Sequence, residues 1–379
     1  MSSAAPFHKH QVRRILIYRL GSLGDTVVAL PCFHLIAKTF PESERRLLTN
    51  IPISSKAPAS AAILGGSGLV HDYMRYSVGT RNPIELLALA ARIRSYRPDL
   101  LIFINQLKPW SHVARDRRFF RFCGLRHIVG ISNEQEQWLQ FDPVTGLYEP
   151  EATRLARLIG EIGDARVDDL ASWSLRLTEQ ERGVAAKALK VLEDRPLIVC
   201  GPGTKMQSKD WGRDNWRALL GRLHARYPHH ALALVGSPAE AELAEFAAQD
   251  WAGPKVSLCG QLSPRETAAV IERARAFLGP DSGPMHLAAS VGVPCVIAFS
   301  AAGLLGAWFP VGTHHQVVYH RTSCHGCRLE TCTVEQRRCL TSITVDEMAE
   351  AAVRVLGQGT HANPLPVYPP PTNSAPGVQ

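Results

Sequence analysis

Residues 279–290 read Gly-Pro-Asp-Ser-Gly-Pro-Met-His-Leu-Ala-Ala-Ser and follow the apolar run 276–278. The run predicts a buried strand, and the small residues after it predict a helix. Ser282 suits the N-cap, Pro284 suits the first helical turn, and the glycines let a ligand approach the backbone. A helix that begins in this way offers free N–H groups and a positive dipole end. The segment therefore predicts a strand–turn–helix unit that holds a phosphate.

A similar turn lies near the beginning of the chain. Residues 14–20 predict a buried parallel strand, and residues 19–25 read Arg-Leu-Gly-Ser-Leu-Gly-Asp. The carboxyl ends of parallel strands are where open α/β sheets bind their ligands. Two such turns, one in each half of the chain, predict a cleft between two α/β domains.

The segments between and beyond the two turns alternate between strand and helix patterns, which is typical of doubly wound parallel sheets. In the first half we expect strands at 46–49, 69–71, 100–104 and 128–130, and helices at 25–39, 83–96 and 151–163. In the second half we expect strands at 197–200, 231–235, 256–258, 276–278 and 295–299, and helices at 213–226, 238–249, 264–275 and 345–356.

The length of 379 residues and the 45% hydrophobic content suit two domains with separate cores. We predict an N-terminal domain over 1–175 and a C-terminal domain over 176–357. Residues 358–379 contain many prolines and few apolar residues, so the sequence predicts a disordered tail there.

The net charge of +8 is concentrated between residues 108 and 126, where six basic residues accompany the single acid Asp116. Such a cluster is able to meet nucleic acid, anionic lipid or an acidic substrate, and a solvated helix face explains it equally well. The first eleven residues are polar, and no apolar run approaches the length of a membrane span. We therefore expect a cytoplasmic protein.

Three motifs, in order along the chain, resemble glycosyltransferase family 9, the heptosyltransferases. They are residues 15–31, the stretch Gly201-Pro202-Gly203 with Lys209-Asp210-Trp211 after it, and residues 281–289. The resemblance implies a GT-B fold, in which two Rossmann-like domains face each other across a cleft. It also implies an inverting, metal-independent transfer of a heptose or related sugar from ADP-heptose, or another nucleotide sugar, to a bacterial surface glycan such as lipopolysaccharide core. No cofactor is expected to be required for transfer.

On the N-terminal side, the resemblance makes Asp25 the general base that removes a proton from the acceptor hydroxyl. A carboxylate at the end of the first strand is able to do this, and an aspartate there is also a good helix cap. Several heptosyltransferases have a histidine three residues after this aspartate, whereas this chain has Val28. The residues expected on the acceptor or sugar side are Arg19, Gly21, Ser22 and Gly24.

On the C-terminal side, the resemblance places the donor. Lys209 matches the lysine that contacts donor phosphates, although Gly212 replaces the usual proline of that motif. Glu240 falls near the expected donor ribose, and a charged helix face explains it almost as well. His286 is expected to contact the phosphate or the sugar, with a packed core histidine as the alternative. The expected donor-binding residues are Lys209, Glu240, Asp281, Ser282, Gly283 and His286.

Four cysteines lie within sixteen residues near the end of the chain. A tetrahedral thiolate site for a structural zinc or iron is one interpretation, since the first pair has the CxxC spacing of a metal knuckle. Two disulfides and four free thiols are the alternatives, and disulfides are disfavoured in the cytoplasm. The residues of this predicted metal site are Cys324, Cys327, Cys332 and Cys339.

Other functions fit less of the sequence. A nucleotide-sugar epimerase shares the GT-B fold but needs no acceptor pocket beside Asp25. A dinucleotide-dependent oxidoreductase lacks its full GxGxxG fingerprint. A metal-binding nucleic-acid protein explains the basic charge and the cysteines but neither of the two turns, and we expect no nucleic-acid partner. The expected partners are a nucleotide sugar, a glycan or glycolipid acceptor, and the inner face of the inner membrane.

Overall fold

The computed structural model describes residues 9–50, 60–77 and 79–357. The predicted tail at 358–379 lies outside the described residues. The first half contains β1 (Arg14–Tyr18), α1 (Leu23–Val28), α2 (Leu30–Thr39), β2 (Glu44–Asn50), α3 (Ala61–Leu64), β3 (Asp72–Tyr76), α4 (Pro83–Tyr96), β4 (Leu100–Phe103), α5 (Trp110–Phe122), β5 (Ile128–Val129), α6 (Glu134–Gln137), β6 (Phe141–Asp142), β7 (Leu147–Tyr148) and α7 (Glu151–Leu158).

The first sheet has the order β3-β2-β1-β4-β5, and every pair in it is parallel. Strand β1 is central and its last four residues are buried, which is why it reads as an unbroken apolar run. The order reverses between β1 and β4, so the loops after these two strands diverge and leave a crevice at the carboxyl edge. Asp25 and its turn therefore lie at the switch point of this sheet.

A second unit follows the first. It contains α8 (Glu179–Leu189), β8 (Leu197–Cys200), α9 (Arg213–Arg226), β9 (Ala231–Leu234), α10 (Ala241–Ala247), β10 (Lys255–Ser257), α11 (Pro264–Ile271), β11 (Ala276–Pro280), α12 (Gly283–Ser290), β12 (Cys295–Ala298), β13 (Gln316–Val318), α13 (Arg338–Thr341) and α14 (Val345–Gly357).

The second sheet has the order β10-β9-β8-β11-β12-β13 and is again parallel throughout. This is the Rossmann order, with the switch point between β8 and β11. Lys209 follows β8, and Asp281 follows β11. The predicted fold class, α/β with two doubly wound Rossmann-like sheets, is confirmed. The predicted domain boundary between 175 and 176 stays a prediction.

The predicted elements were mostly confirmed, with three informative differences. The expected single helix at 25–39 is two helices that meet at Ala29, because Pro31 has no N–H to continue the hydrogen-bond ladder. The strand expected at 69–71 begins later, at Asp72; it is the edge strand β3, in which only Met74 is buried. Strand β13 was not predicted, because it lies at an edge of the second sheet and all three of its residues are half-buried.

A buried arginine joins the two halves. Arg265 in α11 donates to the carbonyl of Ile63, 2.8 Å away in the first half, and to that of Leu175 at 2.7 Å. Its guanidinium also pairs with Glu181 at 2.5 Å. These bonds hold α11 of the second half against α3 of the first half. Among the described residues, no helix is long and apolar enough to cross a membrane.

Candidate functional site at the two switch points

Asp25 lies in the first turn of α1 and is mostly buried. Its Oδ2 accepts hydrogen bonds from the backbone N–H of Ser22 at 2.7 Å and from the Ser22 hydroxyl at 2.9 Å. Gly21 has a φ of 133°, and a Cβ there would come within 2.4 Å of the Asp25 Cβ. Ser22 is therefore the N-cap of α1, and Asp25 is the N3 residue that closes its capping box. Its role as a base stays a prediction.

Two residues that sequence reasoning missed hold this turn from the loop after β4. The Gln106 side-chain amide donates to Asp25 Oδ1. The Asn105 side chain accepts from the backbone N–H of Leu20 at 2.7 Å. Both follow β4 directly, on the other side of the switch point, and that position is the signal that could have found them.

A buried ionic network supports the turn from beneath. Arg19 is fully buried and donates to the carbonyls of Ile104 at 2.8 Å and of Asp25 at 2.6 Å. Its guanidinium lies 3.8 Å from Glu151, which also forms a bidentate pair with Arg154. Burial lowers the pKa of Arg19, and the carboxylates of Asp25 and Glu151 oppose that shift. Because Arg19 is enclosed, it orients the turn and does not reach a bound sugar.

The second turn carries the predicted phosphate site. Lys209 Nζ lies 2.7 Å from Asp281 Oδ2, so the lysine is held at the carboxyl edge of the second sheet. Ser282 occupies the N-cap of α12 in an extended conformation, as expected, but its hydroxyl caps nothing. That buried oxygen has no hydrogen-bond partner among the described residues. A buried hydroxyl without a partner is costly, so its position at a helix start favours a ligand there.

Glu240 and Lys205 complete the carboxyl edge of the second sheet. Glu240 accepts from the backbone N–H of Ser237 at 2.6 Å, and its carboxylate lies against Gly203, where a Cβ would clash at 2.3 Å. Lys205 was not predicted, although it lies in the same loop as Lys209. Burial lowers the pKa of Lys205, and the carboxylates of Glu240 and Asp25 oppose that shift. Lys205 thus lies in the field of acids from both halves.

The two turns contact each other. A Cβ on Gly24 would lie 2.9 Å from the His286 ring, and a Cβ on Gly283 would lie 3.0 Å from Leu23. Glycines at these two positions let α1 and α12 approach end to end. Beside His286, a cavity of about 180 Å³ opens between the halves, lined mainly by apolar residues that include Val28 and Trp173. The structure therefore brings the predicted acceptor-side turn and donor-side turn into contact, and His286 lines the cavity beside them.

His286 gives the site a pH dependence. Burial lowers the pKa of His286 to about 4, the carboxylates of Asp281 and Asp25 oppose this, and Lys209 adds to it. The unfolded chain has a histidine pKa near 6.5, so it binds the proton first as the pH falls. Stability from the buried neutral ring is therefore complete above about pH 6.5 and is lost as the pH falls towards 4.

Between pH 7 and pH 5, we expect the free energy of unfolding to fall by about 2 kcal/mol more in the wild type than in His286→Gln. Denaturant titrations at the two pH values measure it. His229→Gln, at an exposed position, is the matched control. An unchanged pH dependence in His286→Gln would show that the ring is not buried as a neutral group.

The structure does not support the predicted metal site. Among the described residues, which include all four cysteines, no group of three or more histidine, cysteine, aspartate or glutamate residues is placed to hold a metal ion. All four cysteines line one small cavity beside Ser208. Within it, Cys332 accepts from the Arg337 N–H at 3.2 Å, Cys324 lies 3.4 Å from the Thr322 hydroxyl, and Cys339 lies 3.9 Å from the Ser300 hydroxyl. All nine cysteines are free thiols.

Two Rossmann-type units that face each other through their switch points form the GT-B fold, which several classes of nucleotide-sugar enzyme share. Residues 153–337 match the model of glycosyltransferase family 9 (heptosyltransferase). This match covers just under half of the chain, and it confirms the resemblance to the family. The match includes Lys209, Glu240 and the turn at 281–289, and it begins after Asp25.

Two curated relatives are both named lipopolysaccharide heptosyltransferase 3. One, from Escherichia coli, is 32% identical over 107 residues, which cover 27% of this chain and 31% of that protein. The other, from Escherichia coli strain K12, is 24% identical over 288 residues, which cover 73% of this chain and 80% of that protein. The chain thus spans about a third of the first relative and four-fifths of the second.

Two solved structures share the fold. The glycosyl transferase family 9 protein from Veillonella parvula superposes with a TM-score of 0.71 at 16% identity and covers 93% of this chain and 99% of its own. The E. coli heptosyltransferase WaaC with ADP superposes with a TM-score of 0.56 at 18% identity and covers 90% of this chain and 99% of its own. The likeness extends over both halves of the protein.

Proposed function

We propose that this protein transfers a heptose from ADP-heptose to a bacterial surface glycan of the lipopolysaccharide core type, with inversion and without a metal. The observation that supports this most is the contact between the two switch-point turns. It sets a carboxylate, Asp25, across from a helix start that offers N–H groups, an unpartnered hydroxyl and a lysine. The relatives' names supply the sugar and the acceptor class, and the solved relative with ADP supplies the nucleotide.

In the proposed reaction, Asp25 takes up a proton on one side of the site, and the Lys209 side stabilises negative charge. Asp25 accepts the proton of the acceptor hydroxyl as its oxygen attacks the anomeric carbon. The bond from that carbon to the diphosphate breaks, and the negative charge passes to the diphosphate. The α12 N–H groups, the Ser282 hydroxyl and the Lys209 ammonium stabilise that charge. No covalent intermediate forms, so the configuration at the carbon inverts.

Lys209 is able to serve the diphosphate although it pairs with Asp281. An ammonium has three N–H donors, and the aspartate uses only one of them in the 2.7 Å contact. The lysine side chain is a quarter exposed, whereas that of Asp281 is almost enclosed. The acid therefore fixes the lysine from the protein side and leaves its other donors towards the cleft.

We also propose that the acceptor is a glycolipid and that the protein works in the cytoplasm against the inner face of the inner membrane. The basic segment at 108–126 supports this part, because an anionic lipid surface attracts such a cluster.

Titration with ADP, UDP and GDP tests the donor half of the proposal. We expect ADP to bind most tightly, and Lys209→Ala to weaken ADP binding about tenfold to a hundredfold, because a hydrogen bond between charged groups is lost. Lys187→Ala, at an exposed position of α8, is the matched control. Tighter binding of UDP or GDP would contradict the nucleotide assignment, and equal ADP affinity in Lys209→Ala would contradict the role of the lysine.

A further inference from the structure

Helix α4 is apolar on two opposite sides. Leu89, Ala90, Ile93 and Tyr96 are buried against the first sheet. The outward stripe is also apolar, with the i, i+3, i+4, i+7 spacing of a helix face, and Ile84 within it is 75% exposed. Surface helices normally turn polar residues outward, so an apolar stripe there marks a contact surface. The stripe consists of Ile84, Leu87, Ala88 and Ala91.

Helix α5 continues this surface. The Arg94 guanidinium, in the last turn of α4, lies over the Phe122 ring at 4.5 Å and donates to its carbonyl at 2.5 Å. The Phe122 ring itself is about half exposed. Since β3 and β4 are parallel, both helices begin at the same sheet edge and run side by side. We call the combined outer surface of these two helices the α4–α5 face.

The charge of the α4–α5 face is strongly positive. The two helices contain only two acids, Glu85 and Asp116. Asp116 is buried and lies 2.9 Å from Arg115 and 3.6 Å from Lys108, so it adds no free negative charge. Exposed arginines lie on the two helices at positions 92, 94, 115, 117, 118 and 121.

We propose that the α4–α5 face docks on an anionic lipid bilayer, with the apolar stripe inserted among the acyl chains and the arginines at the headgroups. Apolar side chains beside a one-signed basic rim are what binds a helix in the plane of such a membrane. A protein partner or a second copy would have to supply a matching acidic surface, and this chain carries net positive charge. An anionic bilayer supplies both an apolar interior for the stripe and negative charge for the arginines.

The position of the face relates it to the site. Helices α4 and α5 begin at the carboxyl edge of the first sheet, which is the edge that holds Asp25. The end of this face that holds Ile84 therefore lies at the same edge of the first sheet as Asp25. This step rests on the proposed function, because it explains how a membrane-anchored acceptor reaches Asp25; the docking itself does not depend on it.

Sedimentation with phosphatidylcholine vesicles, with and without phosphatidylglycerol, tests the docking. We expect binding only to the vesicles with phosphatidylglycerol, and weaker binding as sodium chloride is added. The double variant Ile84→Ser with Leu87→Ser should bind at least about tenfold more weakly. Arg118→Glu should bind more weakly by about fivefold or more, since each basic residue near the surface adds about that factor.

Val191→Ser is the matched apolar control, because Val191 is 64% exposed but lies in the other half. Arg273→Glu, also exposed and in the other half, is the charge control. Thermal melts should be unchanged in all four variants, since none of these side chains is buried. Vesicle binding that is equal in wild type and in the Ile84–Leu87 variant would overturn the proposal. The proposal would also be overturned if the wild type were a dimer and the Ile84–Leu87 variant lost that dimer but kept its lipid binding.

ADP titration on the same variants separates this inference from the proposed function. Intact ADP binding together with lost vesicle binding supports the docking surface. Vesicle binding without any ADP binding would overturn the donor assignment and leave the docking surface supported.

Discussion

Replacing Asp25 with asparagine is expected to lower kcat about a thousandfold while leaving donor affinity nearly unchanged. Asparagine keeps the size of the side chain but cannot take a proton from the acceptor hydroxyl. The donor group of Lys209, Asp281 and Ser282 belongs to the other wall of the cleft, so donor binding does not depend on the carboxylate. Steady-state kinetics and ADP titration of the same preparation measure the two quantities.

This substitution also separates catalysis from capping. Asp25 accepts the Ser22 backbone N–H as the N3 residue of a capping box, and the side-chain oxygen of asparagine is able to accept the same bond. Glu266→Gln is the matched control, because Glu266 accepts the Ser263 N–H at 2.7 Å in the same way, away from the cleft. Near-normal turnover in Asp25→Asn would leave Asp25 with a capping role alone.

Replacing Glu151 with glutamine is expected to lower the free energy of unfolding by about 3 to 5 kcal/mol. The Glu151 side chain is 1% exposed and lies between two buried cations, 2.7 Å from Arg154 and 3.8 Å from Arg19. The neutral amide removes the charge that compensates both. Denaturant unfolding followed by circular dichroism measures the loss.

The same substitution should also lower kcat in the fraction that stays folded, because Arg19 holds the Asp25 carbonyl at 2.6 Å. Glu272→Gln is the control: its pair with Arg182 is partly exposed, with the Arg182 side chain 41% accessible, and such pairs contribute less than about 1 kcal/mol. A loss for Glu151→Gln as small as that of the control would mean that the two arginines do not need this carboxylate.

Patterns within a single segment predicted much of the fold. Helix α4 begins and ends where its sequence indicates, because Asn82 caps it and Pro83 opens it. The central strands were found since burial on both faces makes them continuous apolar runs. Edge strands β3 and β13 were not, because half-exposed strands lack that run and depend on the neighbouring strand.

The site shows the same division. Asp25, Lys209 and the turn at 281–289 stand in local motifs, so the sequence was sufficient to predict them. Gln106, Glu151 and Lys205 act through contacts that only the folded chain creates; Gln106 is 81 residues from its partner Asp25. The cysteine spacing did bring all four cysteines to one cavity, but spacing alone does not fix the ligand distances that a metal site needs. Residues 328, 336 and 337 have positive φ, so this stretch turns irregularly between its cysteines.

The most direct test of the central claim is the release of ADP from ADP-heptose, followed with and without a heptose-deficient lipopolysaccharide core acceptor. The account predicts that ADP appears only when donor and acceptor are both present, that the acceptor gains one heptose, and that Asp25→Asn abolishes both. ADP release that is independent of acceptor, or no turnover of ADP-heptose by a folded wild-type protein, would contradict it.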